Sequence, residues 1–432
     1  MADFHLECFQ NEYLPEGARE VNAVVTISAS GTSAGTGFGG GTGFGAGTAP
    51  GGRGVEVIVV DTSGSMGGSK IRAAREATAA AVAAIKDGVR FAVISGDNSA
   101  RVVYPRTGGL ATSSSQTRAE AQQATGRLEA SGGTAIGSWL QLITSIVARE
   151  PGIKHAILLT DGKDEHESPE TLQAAIDAAK GVFQCDCRGV GTDWIVSELR
   201  KIATALLGTV DIVADPAGLA ADFEAMMAQA MGKSLADVNI RLWTPQGASI
   251  SFVKQVAPDL LDLTDRRVTV NPLSGDYPTG AWGDESRDYH FAVSVNPGRV
   301  GDEMLAARVS LVVNGQVAGQ ALVKAVWTDD TALSTKINKQ VAHYTGQAEL
   351  ADAIAEGLEA RKQGDMETAT TKLGRAVQLA AQSGNTETAK LLAKVVDVED
   401  PATGKVRMKS RVADEDEMTL DTRSTKTVRV TR

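Results

Sequence analysis

Apolar and polar residues alternate along residues 4–9 and 21–27, which is the pattern of a strand with one buried face; a turn at Pro15, Glu16 and Gly17 separates the two stretches. From residue 55 the pattern changes. Residues 55–60 (VEVIVV) form a short, nearly continuous β-branched run, as expected of a strand covered on both faces. A helical stripe follows, with Ile71, Ala74, Thr78, Ala81, Val82 and Ile85 recurring along one side. Further strands are predicted at 89–95, 100–104, 153–160, 182–190 and 210–214, and helices at 116–129, 136–149, 169–180, 193–204 and 217–231. Strands alternating with amphipathic helices imply right-handed crossovers and a doubly wound sheet with helices on both sides.

Beyond about residue 235 the period returns to two, with strands predicted at 238–243, 248–253, 267–270, 289–295, 305–313 and 321–327. Short alternating strands at regular spacing point to an antiparallel sandwich. The two N-terminal strands have no sheet of their own, so they are expected to complete this sandwich, with the α/β domain inserted between. From about residue 333 helical spacing resumes: Leu350, Ile354 and Leu358 recur every four residues, as do Leu373 and Val377, with a hairpin turn within 360–369.

The chain therefore reads as a multidomain protein of α/β, all-β and α parts. The expected divisions are N-terminal sandwich strands (1–30), a linker (31–54), an α/β domain (55–232), the rest of the β-sandwich (235–330), a helical region (333–398) and a disordered tail (399–432). The linker assignment rests on a Gly/Thr/Ala tract that includes Phe38 and Phe44 and buries too little apolar surface to fix its backbone. The tail is charged and poor in apolar residues.

Composition narrows the function. The formal net charge of −10 lacks the Lys/Arg surplus that neutralising phosphates requires, which argues against nucleic acid as a partner. No basic segment leads into an apolar stretch at the N-terminus and no run is long enough to span a bilayer, so a cytoplasmic protein without membrane contact is expected. Of the three cysteines, Cys8 stands apart, and Cys185 and Cys187 occupy alternate positions of one predicted strand. That spacing points both thiols into a core rather than into a disulfide framework. The five histidines (His5, His155, His166, His290 and His343) show no metal-ligand spacing. No nucleophile elbow, phosphate-binding loop or zinc-binding helix motif occurs, so no enzyme is expected.

Chemistry concentrates in three short motifs. Asp61, Ser63 and Ser65 directly follow the first α/β strand, where open α/β sheets place their ligands. Their carboxylate and hydroxyls are hard oxygen donors of the kind Mg²⁺ prefers. Alone the motif is weak, because Ser or Asp before a helix is more often an N-cap. Thr134 lies in a second glycine loop, after Gly132 and Gly133 and before another helix. Asp161, followed by Gly162, ends a second buried strand. His166, in the acidic run 164–167, either lines the rim of this site or belongs to a solvated loop.

With these motifs in place, residues 53–232 resemble the von Willebrand factor A (VWA) domain, a Rossmann-like fold, and the three motifs resemble its complete metal-ion-dependent adhesion site. The resemblance implies that Asp61, Ser63 and Ser65 form the first ligand loop, Thr134 the second and Asp161 the third, with Asp161 reaching the metal through water. It implies Mg²⁺, or Mn²⁺ or Ca²⁺, and a protein partner whose Asp or Glu carboxylate completes the coordination. It further implies that the Thr134 loop and the helix at 217–231 shift on ligation. Residues 189–193 are similar to the family's turn after the fifth strand. The expected role is an adaptor. Thr425 and Thr427, with Val428 and Val430 three residues on, add a candidate docking point for a phosphothreonine-binding partner, as in bacterial VWA proteins of kinase and forkhead-associated signalling. A non-catalytic subunit of a chelatase-like AAA+ machine, a tellurite or stress-response protein, and a Mg²⁺-dependent hydrolase are the other classes these features accommodate.

Overall fold

The computed structural model describes residues 2–32 and 54–430, so the predicted glycine-rich linker lies almost wholly outside the described residues. The chain divides into two compact units, one made of residues 1–31 with 237–432, the other of residues 32–236. The first unit begins with β1 (Asp3–Gln10), β2 (Tyr13–Pro15) and β3 (Glu20–Ser30), where β1 and β3 pair antiparallel from Asp3 opposite Ser30 to Gln10 opposite Ala23.

The α/β unit contains β4 (Val55–Asp61), α1 (Ser69–Ala84), β5 (Arg90–Gly96), β6 (Ala100–Tyr104), β7 (Ala111–Thr112), α2 (Ser115–Thr125), α3 (Ile136–Val147), β8 (Lys154–Thr160), α4 (Pro169–Ala179), β9 (Gln184–Val190), α5 (Val196–Ala205), β10 (Val210–Val213) and α6 (Leu219–Met231). The sheet runs β10-β9-β8-β4-β5-β6, with β7 also paired to β5. Strands β10 to β5 are parallel and β6 is antiparallel. Every residue of β4 is buried, Glu56 and Asp61 included, as its nearly continuous β-branched run predicts. Ile58 and Val60 join one core with Ile71, Ala77 and Val82 of α1 and Phe223 and Met227 of α6. By strand alternation Val57 and Val59 face the opposite side. Helix α3 is anchored by Trp139, fully buried over Gly96, where a Cβ would overlap the indole. Its Nε1 donates to the Asp97 carbonyl at 2.9 Å. Losing an indole of this kind costs about 3–5 kcal/mol. Cys185 and Cys187 are buried free thiols in β9, as their spacing predicts.

The first unit resumes with β11 (Val238–Trp243), β12 (Ser249–Ala257), β13 (Leu261–Asp262), β14 (Val268–Asn271), β15 (Ser274–Pro278), β16 (Glu285–Ser294), β17 (Glu303–Val313) and β18 (Gln316–Thr328). One sheet has the order β1-β3-β16-β12-β13, the other β14-β15-β11-β17-β18-β2. The N-terminal strand β3 pairs along its whole length with β16, from Glu20 opposite Ser294 to Ala29 opposite Glu285. Four helices follow: α7 (Thr331–Ser334), α8 (Lys339–Lys362), α9 (Met366–Ser383) and α10 (Thr386–Val395). Asp365 caps α9 by accepting from Thr368 N at 3.0 Å, and Gly384, at φ +69°, ends it in the left-handed conformation. Val341 and Tyr344 of α8 pack on Val24 and Val256 of the five-stranded sheet.

The tail expected to be disordered is folded through residue 430. It forms β19 (Val396–Asp400), β20 (Lys405–Met408) and α11 (Asp414–Arg423), then lies along the sheet. Leu420 is fully buried against the α8–α10 core, Glu417 pairs with Arg361, and Lys394 reaches Asp416 at 2.8 Å. Four acidic residues in the first turn of α11 suit the positive end of its dipole. Beyond it, Thr427 N donates to the Pro258 carbonyl at 3.1 Å and the Thr427 hydroxyl to the Val256 carbonyl at 2.6 Å, while the Thr425 carbonyl accepts from Leu260 N. A phosphate on Thr427 would remove the hydroxyl donor that bonds the Val256 carbonyl. One buried leucine and a set of ion pairs hold a segment that composition alone assigns to solvent.

Candidate functional site

Three loops meet at the carboxyl end of β4 and β8. The first leaves β4 at Asp61, whose Oδ1 accepts from Ser63 N at 2.7 Å and whose Oδ2 accepts from the Thr160 hydroxyl at 2.5 Å. The second is tied to the first by Gly64 N donating to the Gly132 carbonyl at 2.9 Å and Ser131 N donating to the Thr62 carbonyl at 2.7 Å. In the third, Asp161 Oδ1 accepts from the Ser65 hydroxyl at 2.7 Å, and Ser63 Oγ lies 3.0 Å from Ser65 Oγ. All five predicted side chains are thus brought together. Gly162 stands beside three of them: a Cβ added there would lie 3.1 Å from Thr134 Oγ1, 3.5 Å from Ser65 Oγ and 4.0 Å from Asp61 Oδ2.

Burial sets the electrostatics. Asp61 and Asp161 are fully buried, and Ser63 and Thr134 nearly so. Among the described residues Asp61 has no cationic partner; burial pushes its carboxyl up, against the pull of its bonds to Ser63 and Thr160. Asp161 is served by Lys70, whose Nζ lies 2.5 Å from Asp161 Oδ2 and 3.4 Å from Asp193 Oδ2. Partial burial works against the Lys70 charge, but the two carboxylates outweigh it and raise its pKa. The loops open on a cleft of about 440 Å³ lined by Ser63, Ser65, Thr134, Gly162, Lys163 and His166, among others.

The donor chemistry fits a hard divalent cation. Among the described residues no cluster of three or more His, Cys, Asp or Glu is placed to hold a metal, so the donors here are mainly hydroxyls. Asp61, Ser63, Ser65 and Thr134 offer one carboxylate and three hydroxyls beside the cleft.

Thr160, which orients Asp61, and Lys70 escaped the sequence reading. Lys70 carried a usable signal: it sits in the first turn of α1, where the helix dipole disfavours a cation, so a specific acidic partner had to be near. His166 is an element of the site rather than of a solvated loop. Its Nδ1 accepts from Thr134 N at 3.1 Å, and its own N donates to the Thr134 carbonyl at 3.1 Å. Beside it, burial and the adjacent Glu167 carboxylate push the Asp164 carboxyl up to about 8.

At the amino end of the same sheet a second charged group is assembled. His155 Nδ1 lies 2.9 Å from Glu56 Oε1, and Nε2 lies 2.9 Å from Asp186 Oδ2. The Thr209 hydroxyl donates to Asp186 Oδ1 at 2.7 Å. Burial opposes the imidazolium, but Glu56 and Asp186 outweigh it and push the His155 pKa up to about 10. Although burial opposes its charge too, Asp186 is held well below the usual carboxylate range by His155; burial dominates at Glu56 and raises it.

A doubly wound sheet with hydroxyl-rich loops at its carboxyl end accords with a von Willebrand factor type A domain, and the chain belongs to that family. The family model described as von Willebrand factor type A domain matches residues 57–212, and that described as von Willebrand factor type A C-terminal domain matches residues 378–424. Over nearly its whole length the chain is similar to a von Willebrand factor type A protein from Catenulispora acidiphila, with 53% identity, a TM-score of 0.92 and coverage of 99% of this chain and 98% of that one. It shares its fold with the ArnB paralog VWA2 from Sulfolobus acidocaldarius, at 16% identity, a TM-score of 0.59 and coverage of 97% of each chain. It is also 27% identical over 213 residues to an uncharacterised protein of Synechocystis, a match covering 48% of this chain and 49% of that one; the chain spans about half the length of this curated relative. Among the described residues no helix is long and apolar enough to cross a membrane.

Proposed function

We propose that the chain is a binding module whose α/β unit holds a divalent cation of the Mg²⁺ class and through it captures an Asp or Glu carboxylate of a protein partner. The observation that carries this reading is that oxygens of Asp61, Ser65 and Thr134 all lie within 4.0 Å of one position beside Gly162, with Ser63 Oγ next to Ser65 Oγ. Asp61, Ser63, Ser65 and Thr134 would hold the cation, and Asp161 would support it from outside through Ser65. When bound, the cation supplies an electrophilic position that a visiting carboxylate completes. Asp61, buried without a cationic partner, gives the ion a reason to bind, since an unpaired buried carboxylate costs several kcal/mol. Three uncharged hydroxyls leave the occupied site net positive, which favours an anionic visitor.

We read the module as non-catalytic. Lys70 is committed to Asp161 and Asp193, and His166 Nδ1 to a backbone amide, so both lack the freedom expected of a general base. We also read the α/β unit as an insertion into a β-sandwich; the pairing of β3 with β16, far apart in sequence, supports this.

The test is affinity capture on immobilised full-length protein, wild type and Asp61→Ala, in Mg²⁺ or EDTA, with elution by an excess of a glutamate-containing peptide. Partners retained only by the wild type in Mg²⁺ and released by the peptide are the expected outcome. The same proteins retained in all conditions would exclude the site as the docking point.

A further inference from the structure

Helix α3, which carries the second ligand loop into the core, begins without a cap of its own. Its N-cap residue is Ala135, which has no side chain able to accept a hydrogen bond, and no acidic residue lies in its first turn. The first amides of a helix have no partner within it and need one from elsewhere. Here five consecutive amides, those of the loop residues Gly133 and Thr134, the N-cap Ala135 and the first two helical residues, find partners outside the helix. Gly133 N donates to Asn98 Oδ1 at 2.6 Å, Thr134 N to His166 Nδ1 at 3.1 Å, and Ala135 N to the Asp97 carbonyl at 3.1 Å. Ile136 N donates to Asp164 Oδ1 at 3.2 Å and Gly137 N to Glu167 Oε1.

Three of those acceptors, Asp164, His166 and Glu167, come from the four residues that begin three positions after Asp161. The fit is close, because a Cβ at Gly133 would overlap the His166 ring and one at Gly137 would stand 2.6 Å from Glu167 Oε1. His166 also returns a bond, its own N donating to the Thr134 carbonyl, so Thr134 is gripped at both its N–H and its C=O. The preceding Gly132, at φ +80°, and Gly133 leave the loop little stiffness of its own.

We propose that residues 164–167 act as a cap borrowed from the third ligand loop, and that within it His166 is the positioning residue that aims the Thr134 hydroxyl at the cation point. The proposal rests on the cation reading given above and adds a mechanical link: the loop bearing Asp161 and the loop bearing Thr134 are held as one piece. His166 acts through its unprotonated Nδ1, a role that an asparagine Oδ1 can fill and an alanine cannot.

Two measurements on the full-length protein test this, each with wild type, His166→Ala and His166→Asn. One is hydrogen–deuterium exchange over residues 133–140 without added cation; the other is calorimetric titration with MgCl₂. In His166→Ala, exchange at 134–137 is expected to rise about tenfold and the Mg²⁺ dissociation constant about tenfold, as for loss of one well-placed hydrogen bond and the order it imposes. His166→Asn is expected to restore both to within about twofold. Unchanged exchange in His166→Ala, unchanged Mg²⁺ affinity, or an Asn variant no better than Ala would each overturn the assignment. If the wild type takes up no Mg²⁺ while exchange responds as expected, the borrowed cap stands and the cation reading falls.

Discussion

At the amino end of the α/β sheet the carboxylates Glu56 and Asp186 close on His155; at the carboxyl end, about 16 Å further along β4, Asp61 and Asp161 are surrounded by hydroxyls. The first group is complete. Its positive charge is carried by a side chain, both ring nitrogens are engaged, and Thr209 fills out Asp186. The second is not. Lys70 serves Asp161, but Asp61 has only neutral donors, and the place where another side chain would stand is taken by Gly162. Two arrangements of carboxylates on the same strands thus differ in whether the counter-ion is built in, and that difference separates an internal brace from a binding site.

The sharpest way to break the contrast is to fill the gap. Gly162→Val places methyl groups among the Thr134, Ser65 and Asp61 oxygens, and Mg²⁺ affinity is expected to fall by at least about a hundredfold while circular dichroism reports an intact fold. Next in size is the brace. His155→Leu leaves the buried Glu56 carboxylate and the partly buried Asp186 without their cation and should cost about 3–5 kcal/mol in denaturant unfolding. The brace also sets a pH dependence. The folded-state pKa of His155 is raised to about 10 from about 6.5 in the unfolded chain, so its contribution is full below pH about 6.5 and is lost as pH rises towards 10. His155→Gln should flatten that part of the stability profile, and an unchanged slope would remove the imidazolium from the account. The smallest effect belongs to Lys70. Replacing it with Met removes a positive charge next to Asp161, and Mg²⁺ binding should tighten about three- to tenfold at low salt, measured by calorimetry.

How far these features were legible in the chain follows from what each rests on. The α/β alternation was plain because β4 and β8 are short, mostly apolar runs and α1 shows its face every third or fourth residue. The ligand loops were legible because glycine and hydroxyl residues cluster at strand ends. Strand β15, Ser274–Pro278, went unread: Tyr277 is its one large apolar residue, and Gly275 is needed where the Arg267 side chain packs on it. Helix α11 was hidden for a related reason, since ion pairs and Leu420 dock it and charge patterns do not reveal which partner they will meet. The borrowed cap was harder still. Nothing at Ala135 announces that its helix is capped from thirty residues away.

The central claim is that Asp61, Ser63, Ser65 and Thr134 together take up a divalent cation. Isothermal titration calorimetry of the full chain with MgCl₂, run beside Asp61→Ala, tests it most directly. One Mg²⁺ per chain for the wild type and none for the variant is the predicted result; a folded wild type that takes up no cation, or a variant that binds equally well, would contradict it.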